Sequence, residues 1–256
     1  MLQDIILFLV GIIVGGMNAI AGGGMLIGFP AMLAAGISPL IANATSNVIL
    51  IPGQLASAFG YRKYLRTLPR PYLLLAIPCS IGAAIGALIL RHTSSASFEK
   101  LVPALIIFAV ALFTFQPFIK RQLHLHLHGP KKLQRSLKPL VVISVLMLPL
   151  AIYGGYFGAG FGFIMLALLS FSKLHEIHQM NALKNLMAAC IATVSLLCLF
   201  SSGLIDWQHG IAMALGNGIG GYAGARAAQR FSGHAVRIIV IAIGLCTATY
   251  LVFRSY

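Results

Sequence analysis

Acidic residues are nearly missing from this chain, which has four Asp and Glu among 256 residues. Asp4, Glu99, Glu176 and Asp206 all fall in loops or at the ends of apolar runs, so no carboxylate is expected deep inside an apolar segment. Proton relays within membranes commonly use buried Asp or Glu, and that device has no obvious carrier here. Catalytic groupings are scarce as well. The nearest to a zinc-hydrolase motif, His175-Glu176-Ile177-His178, spaces its histidines i, i+3 where the helical motif requires i, i+4, so no enzyme and no catalytic residue is expected. The four cysteines, Cys79, Cys190, Cys198 and Cys246, lie within apolar segments without ligand spacing and read as small buried residues. His124, His126 and His128 alternate with leucines in one tract with no cysteine or carboxylate company, a weak metal signal. No metal and no cofactor is expected.

What fills the sequence instead is apolar. Hydrophobic residues make up 59%, charged residues 9%, and the mean hydropathy is +0.93. Apolar runs of about 18 residues or more recur along the whole length, which predicts a polytopic helical membrane protein. The short alternating segments of a membrane barrel are missing. The first apolar run has Asp4 and no basic flank, so Met1 to Ile20 is expected to be a first span and not a cleaved signal. Net charge is +14, yet the basic residues sit in short loops between spans, which fixes orientation in a bilayer and argues against nucleic acid. The single tryptophan, Trp207, follows Asp206 at the entrance to a span and is expected to anchor it at the interface, with His209 beside it.

The chain also repeats itself at an offset of 138 residues, in residues that composition does not explain. Gly16, Gly22 and Gly24 recur as Gly154, Gly160 and Gly162; Asn43, Asn47 and Ser57 recur as Asn181, Asn185 and Ser195; Gly82, Gly86 and Ala87 recur as Gly220, Gly224 and Ala225. The division expected is a first transmembrane repeat at 1–119, a cytoplasmic connecting loop at 120–138 and a second repeat at 139–256. Apolar segments fall at about 4–20, 25–36, 41–60, 72–90 and 101–119, then 139–157, 161–172, 178–200, 209–228 and 236–253. Segments 25–36 and 161–172 are too short to cross a hydrocarbon core of about 30 Å. The fold expected is all-α, with eight full spans and two short broken or partial helices.

Charge indicates whether the short pieces reverse the chain. If they do, fourteen of the eighteen Lys and Arg share one side, Arg91, Lys100 and Arg254 lie on the other, and Lys184 is left in a span. The positive-inside rule favours that arrangement, with both termini outside. Five elements per unit is odd, so the two repeats are then inverted, the plan that permits alternating access around a central site.

Two constellations carry the candidate chemistry. Glycines Gly22, Gly23 and Gly24, and Gly160 and Gly162 in the second repeat, break a helix at membrane depth, where free N–H groups and a helix N-terminus suit an anion. Glycines can also merely permit close helix packing, and Gly11, Gly15, Gly82, Gly86, Gly216, Gly220 and Gly224 fit that description. Asn43, Ser46 and Asn47 share one helical face, and Asn181, Lys184 and Asn185 repeat it with lysine in place of serine. An ionisable side chain within an apolar span costs at least about 2.5–3.5 kcal/mol, which marks Lys184 as a functional candidate unless it snorkels to the interface.

The ordered stretches Gly16-Met-Asn-Ala-Ile-Ala-Gly-Gly-Gly24, Ala42-Asn-Ala-Thr-Ser-Asn47, Gly154-Gly-Tyr-Phe-Gly-Ala-Gly-Phe-Gly162, Leu183-Lys-Asn-Leu186 and Gly220-Gly-Tyr-Ala-Gly-Ala-Arg226 resemble the sulfite exporter TauE/SafE family of membrane permeases. The resemblance spans nearly the whole chain outside 120–138. It implies transport of a sulfur-containing or organic anion, such as sulfite, a sulfonate or sulfoacetate, across a bacterial cytoplasmic membrane. Asn18 stands where an acidic residue is common in that family, which removes a carboxylate that could serve cation coupling there. The partners expected are a small anion and the lipid bilayer, with a homodimer left open. A permease for a non-sulfur organic anion and a non-transporting scaffold or partner subunit are the competing readings.

Overall fold

The computed structural model describes residues 2–20, 22–127, 138–172, 174 and 176–229, with side chains described except at 112–127 and 138–139. Among the described residues every regular element is helical: α1 (Leu2–Ile20), α2 (Met25–Ala34), α3 (Pro39–Gly60), α4 (Arg62–Arg66), a 3-10 turn (Arg70–Leu75) leading into α5 (Ala76–Arg91), α6 (Ser95–Leu127), α7 (Lys138–Tyr156), α8 (Phe161–Leu169), α9 (Ile177–Leu199) and α10 (Trp207–Ala227). The all-α expectation holds, and the apolar segments among the described residues coincide with helices. Three helical stretches are both long and apolar enough to cross a membrane, Leu2–Ile20, Arg70–Arg91 and Ile177–Leu199. Helices α3 and α10 match them in length, at 22 and 21 residues, but carry Asn, Gln, Ser and Gly through their middles. At 10 and 9 residues, α2 and α8 reach only about 15 Å, half a hydrocarbon core.

Part of the segment 120–138, expected to be a loop, is helix, because α6 continues unbroken to Leu127. Residues 128–137, which complete that segment, and the expected last span at 236–253 lie outside the described residues, as do Ala21, His128, Lys173, His175, Arg230, Arg237, Cys246 and Arg254.

Glycine decides which helices can touch. Along α1 and α10 the backbones meet at Gly11 with Met213, Gly15 with Asn217, Gly220 with Ile12 and Gly224 with Gly16. A side chain at any of these positions would collide with the facing backbone or with Asn217, so the packing role expected for them holds. Gly82 and Gly86 do the same for α5 against Leu148 and Ile152 of α7.

The order of these contacts gives the helix directions. Residue numbers rise together between α1 and α10, between α3 and α10 (Gly53 with Gly221, Gly60 with Ala225), and between α5 and α7, so each pair is parallel. Between α5 and α9 they also rise together, from Ala76 with Cys190 to Arg91 with Cys198. Helices α3 and α9 run oppositely: Tyr61 at the end of α3 stacks on His178 at the start of α9, while Thr45 near the start of α3 bonds Asp206 beyond the end of α9. Hence α1, α3 and α10 point one way and α5, α7 and α9 the other. Consecutive long helices α1 and α3 are parallel, so the short α2 returns the chain between them, and α8 does so between α7 and α9.

One end of the bundle thus gathers Arg62, Lys63, Arg66, Arg70 and Arg226 with Glu176, and the opposite end holds Asp4, Arg91, Glu99, Lys100 and Asp206. The bundle is apolar outside, and its largely apolar interior also holds polar side chains. Ile5, Leu9, Ile77, Ile81, Val145, Leu215 and Ile219 are exposed, whereas Asn18, Asn43, Asn47, Gln54, Asn181, Lys184, Asn185 and Asn217 are buried. Water-soluble folds arrange these residue types the other way round.

Candidate functional site

Both first helices end where their glycines begin. Gly22 and Gly160 adopt φ of +96° and +77°, a left-handed backbone that side chains rarely tolerate, and so turn the chain out of α1 and into α8. The two breaks touch: a side chain on Gly22 would lie 2.8 Å from Gly162 Cα, and one on Gly162 the same distance from Gly22 Cα. The expected glycines of the two repeats are therefore brought together at the centre of the bundle.

A helix that stops inside a membrane leaves carbonyls without partners, and here each is met by the polar face of the other repeat. Lys184 Nζ donates to the Asn18 carbonyl at 2.6 Å, near the end of α1. Asn43 Nδ2 donates to the Tyr156 carbonyl at 2.7 Å, at the end of α7. Positions 18 and 156 are separated by the repeat offset, so the contacts are equivalent in place and differ in chemistry: an ammonium at one break, an amide at the other. Lys184 is 1% exposed, and its head group points into the bundle, which excludes snorkelling. It is the single buried cation among the described residues, and no buried carboxylate is found among them.

The glycine N–H groups are only partly available. Gly22 N–H bonds Met17 O at 3.1 Å, and Gly24 N–H bonds Asn18 Oδ1 at 2.8 Å. Gly23 and Gly160 are buried, and neither N–H has a hydrogen bond among the described residues. The anion donors expected from the first triplet thus narrow to Gly23. Tyr153 supports the second break by donating from its hydroxyl to Ala159 O at 2.7 Å.

The two asparagine faces differ in how far they are satisfied. Ser46 Oγ donates back to Asn43 O at 2.6 Å and Asn47 Nδ2 to Ala44 O at 3.4 Å. In the second repeat both side-chain atoms of Asn185, together with Asn181 Oδ1, are buried without a partner, as is Asn18 Nδ2. Leaving such groups unbonded costs about 1–3 kcal/mol each, so the second-repeat face is the less satisfied of the two. These faces lie at different levels of the antiparallel pair α3 and α9, one at the end of each broken helix.

Closure at the basic end is aromatic. Tyr61 is fully buried, its hydroxyl faces Ala19 O at 3.5 Å, and the His178 ring lies 6.2 Å from Tyr61 and 5.0 Å from Tyr64. The offset maps Tyr61 onto Leu199 and His178 onto Leu40, two buried members of the apolar core. Near them, a small apolar cavity lined by Met25, Leu26, Phe29, Pro30, Ile106, Phe157 and Ala159 lies against both breaks.

Tyr61, Tyr153, Gln54 and Asn217 are absent from the sequence-derived set. Asn217, fully buried, donates to Ile49 O at 2.7 Å and fills the space left by Gly15 and Gly53, joining α1, α3 and α10. An asparagine amid the glycines of an apolar span was its signal. Gln54 carries a buried unpartnered Oε1 in the middle of α3. Trp207 opens α10 as expected, packed edge-on against Phe200, and Asp206 caps that helix by accepting from the His209 N–H at 3.1 Å. No cluster of metal-binding side chains occurs among the described residues.

Comparison with known proteins finds membrane transporters. Over 256 aligned residues the chain is 28% identical to a "Probable membrane transporter protein" of Haemophilus influenzae, covering 97% of this chain and 94% of that one. It is 25% identical to the "Probable membrane transporter protein YfcA" of Escherichia coli K12, covering 98% and 90% of the two chains. It is also 25% identical to the "Probable membrane transporter protein ORF9" of a Sinorhizobium species, over 96% and 90%. No solved structure matches. The family model described as "Sulfite exporter TauE/SafE" matches residues 7–251, nearly the full length, and the chain belongs to that family of membrane permeases.

Proposed function

We propose that this permease moves a small sulfur-containing anion, such as sulfite, a sulfonate or sulfoacetate, across the bacterial cytoplasmic membrane by alternating access. The observation that carries the reading is the buried Lys184 ammonium at the end of α1, next to unpartnered amide atoms of Asn18, Asn181 and Asn185. An oxyanion entering this space meets positive charge and N–H donors from a neutral, desolvated surround, where charge-assisted hydrogen bonds are strongest. Gly23 and Gly160 contribute backbone donors, and Asn43, Ser46 and Asn47 form the corresponding face at the second break.

The helix directions support an inverted repeat: α1 and α3 oppose α7 and α9. The basic end is the cytoplasmic one by the positive-inside rule, which puts both termini outside. Lys184 and its neighbours are at most 5% exposed, which supports an occluded conformation in which Tyr61, Tyr64 and His178 serve as the inner closure and Leu40 and Leu199 as the outer one. Rocking one repeat against the other at the Gly22–Gly162 contact would open one closure at a time.

Counterflow in proteoliposomes tests the reading. Vesicles loaded with unlabelled sulfite should accumulate labelled sulfite saturably, with sulfonates competing more strongly than carboxylates. Strong competition by carboxylates alone would move the substrate to non-sulfur anions, and no flux with any of them would favour a scaffold.

A further inference from the structure

At the basic end, outside the transport path, two arginines converge on an aromatic pair. Arg62, which opens α4, places Cζ 4.5 Å from the Phe59 ring centre, and its NH1 reaches Phe59 O at 3.5 Å. Arg226, in the last turn of α10, places Cζ 5.6 Å from the Tyr222 ring centre, and its Nε and NH2 donate to the Tyr222 hydroxyl at 3.4 and 3.2 Å. The two rings lie 6.2 Å apart, so the two guanidinium groups sit over neighbouring rings at the seam between α3 and α10.

Either arginine alone would be explained by its helix end, where a cation complements the carbonyl dipole. That explanation accounts for each separately and not for their convergence, since like charges repel. Neither guanidinium has a carboxylate partner among the described residues. Each keeps most of its five donors unspent, and the Tyr222 hydroxyl, which accepts from Arg226, still has its own proton to give.

The surface leading away from this spot is apolar. Leu55 and Phe59 on α3 are 50% and 59% exposed, and Leu215 and Ile219 on α10 are 62% and 55% exposed. They are spaced i, i+4 along two parallel neighbouring helices and form a track that runs from the arginines toward the middle of the bundle. A free phosphate would use only the charged head of such a site, whereas a phospholipid uses the head and the track together.

We propose that Arg62, Arg226 and Tyr222 bind the phosphodiester of an anionic phospholipid of the cytoplasmic leaflet, with its acyl chains along Leu55, Phe59, Leu215 and Ile219. Juxtamembrane basic pockets between helices recognise anionic headgroups on that side of the membrane, and arginine suits phosphate because its planar fork bonds two oxygens at once. The bound lipid bridges α3 and α10, one from each repeat, and so stiffens the seam between them.

The test uses the full chain purified in a neutral detergent, with dioleoylphosphatidylglycerol, dioleoylphosphatidylcholine or inorganic phosphate added. Phosphatidylglycerol should raise the melting temperature and remain bound in native mass spectra, while phosphatidylcholine and inorganic phosphate do neither. The Arg62→Gln/Arg226→Gln variant should lose most of the shift and of the bound lipid; Arg91→Gln, at the opposite end, should keep both. Arg226→Lys should retain an intermediate share, because charge survives and the fork does not. Equal stabilisation by inorganic phosphate would overturn the lipid assignment, and undiminished lipid retention in the double glutamine variant would overturn the site. Should the double variant melt too low to read, retention by Arg62→Gln and Arg226→Gln singly decides in the same way.

Discussion

The two helix breaks occupy equivalent places and are held by different chemistry. At the first, an ammonium caps the Asn18 carbonyl, and the Asn18 amide reaches across to Gly24. At the second, an amide caps the Tyr156 carbonyl and the Tyr153 phenol secures Ala159. The second break is neutral and leaves the Gly160 N–H unbonded among the described residues, whereas the first has charge and several spare donors. Under the proposed function the ligand lies at the first break, and divergence between the two breaks at a few positions is what selects it. Sulfur oxyanions need a cation or several donors, and only the first break offers both.

The largest expected effect follows from removing the charge. Lys184→Met should leave no detectable sulfite binding, and it strips the buried Asn18 carbonyl of a donor, a cost of about 1–3 kcal/mol by denaturation in detergent. Asn43→Leu, the counterpart at the second break, should cost a similar amount of stability yet retain most of the binding. Equal loss of binding in both would erase the distinction between the breaks.

Backbone geometry gives the next effect. Gly22→Ala combines a left-handed φ with a clash against Gly162, while Gly36→Ala has a φ of +86° and nothing within 4 Å. Gly36→Ala should cost about 1 kcal/mol for the backbone alone, and Gly22→Ala should cost more and also slow transport. If the two melt alike, the touching breaks contribute nothing beyond local strain. The smallest effect belongs to Tyr153→Phe, which removes one hydrogen bond at the second break. A destabilisation of about 1 kcal/mol with unchanged anion affinity is expected from melting and titration together.

Much of this architecture was legible in the sequence because membrane helices are written in long apolar runs and their breaks in glycine. The offset that pairs Gly22 with Gly160 and Asn43 with Asn181 locates the two helix breaks and the two polar faces. The spacing i, i+3, i+4 likewise placed Lys184 on the face that turns inward. Partnership was not legible. That Lys184 would meet a main-chain carbonyl of α1 depends on how two distant helices dock, and that Asn18 Oδ1 would accept from the Gly24 N–H depends on how the chain turns at Gly22. Tyr61 and Tyr153 escaped notice because tyrosine in an apolar run reads as packing until its hydroxyl finds a carbonyl. The first part of the connecting segment departs from the expected loop for a local reason: the residues after Phe118 are polar and basic, but Lys, Arg, Gln and Leu are good helix formers, and α6 runs on through them to Leu127.

Anion recognition at the first break is tested most directly by titrating sulfite into the purified protein and three variants, Lys184→Met, Lys184→Arg and Asn43→Leu, with melting temperature as the readout. Saturable stabilisation is expected in the parent and in Asn43→Leu, a reduced shift in Lys184→Arg, and none in Lys184→Met despite a cooperative melt. Undiminished stabilisation of a folded Lys184→Met protein would contradict the assignment of charge recognition to this lysine.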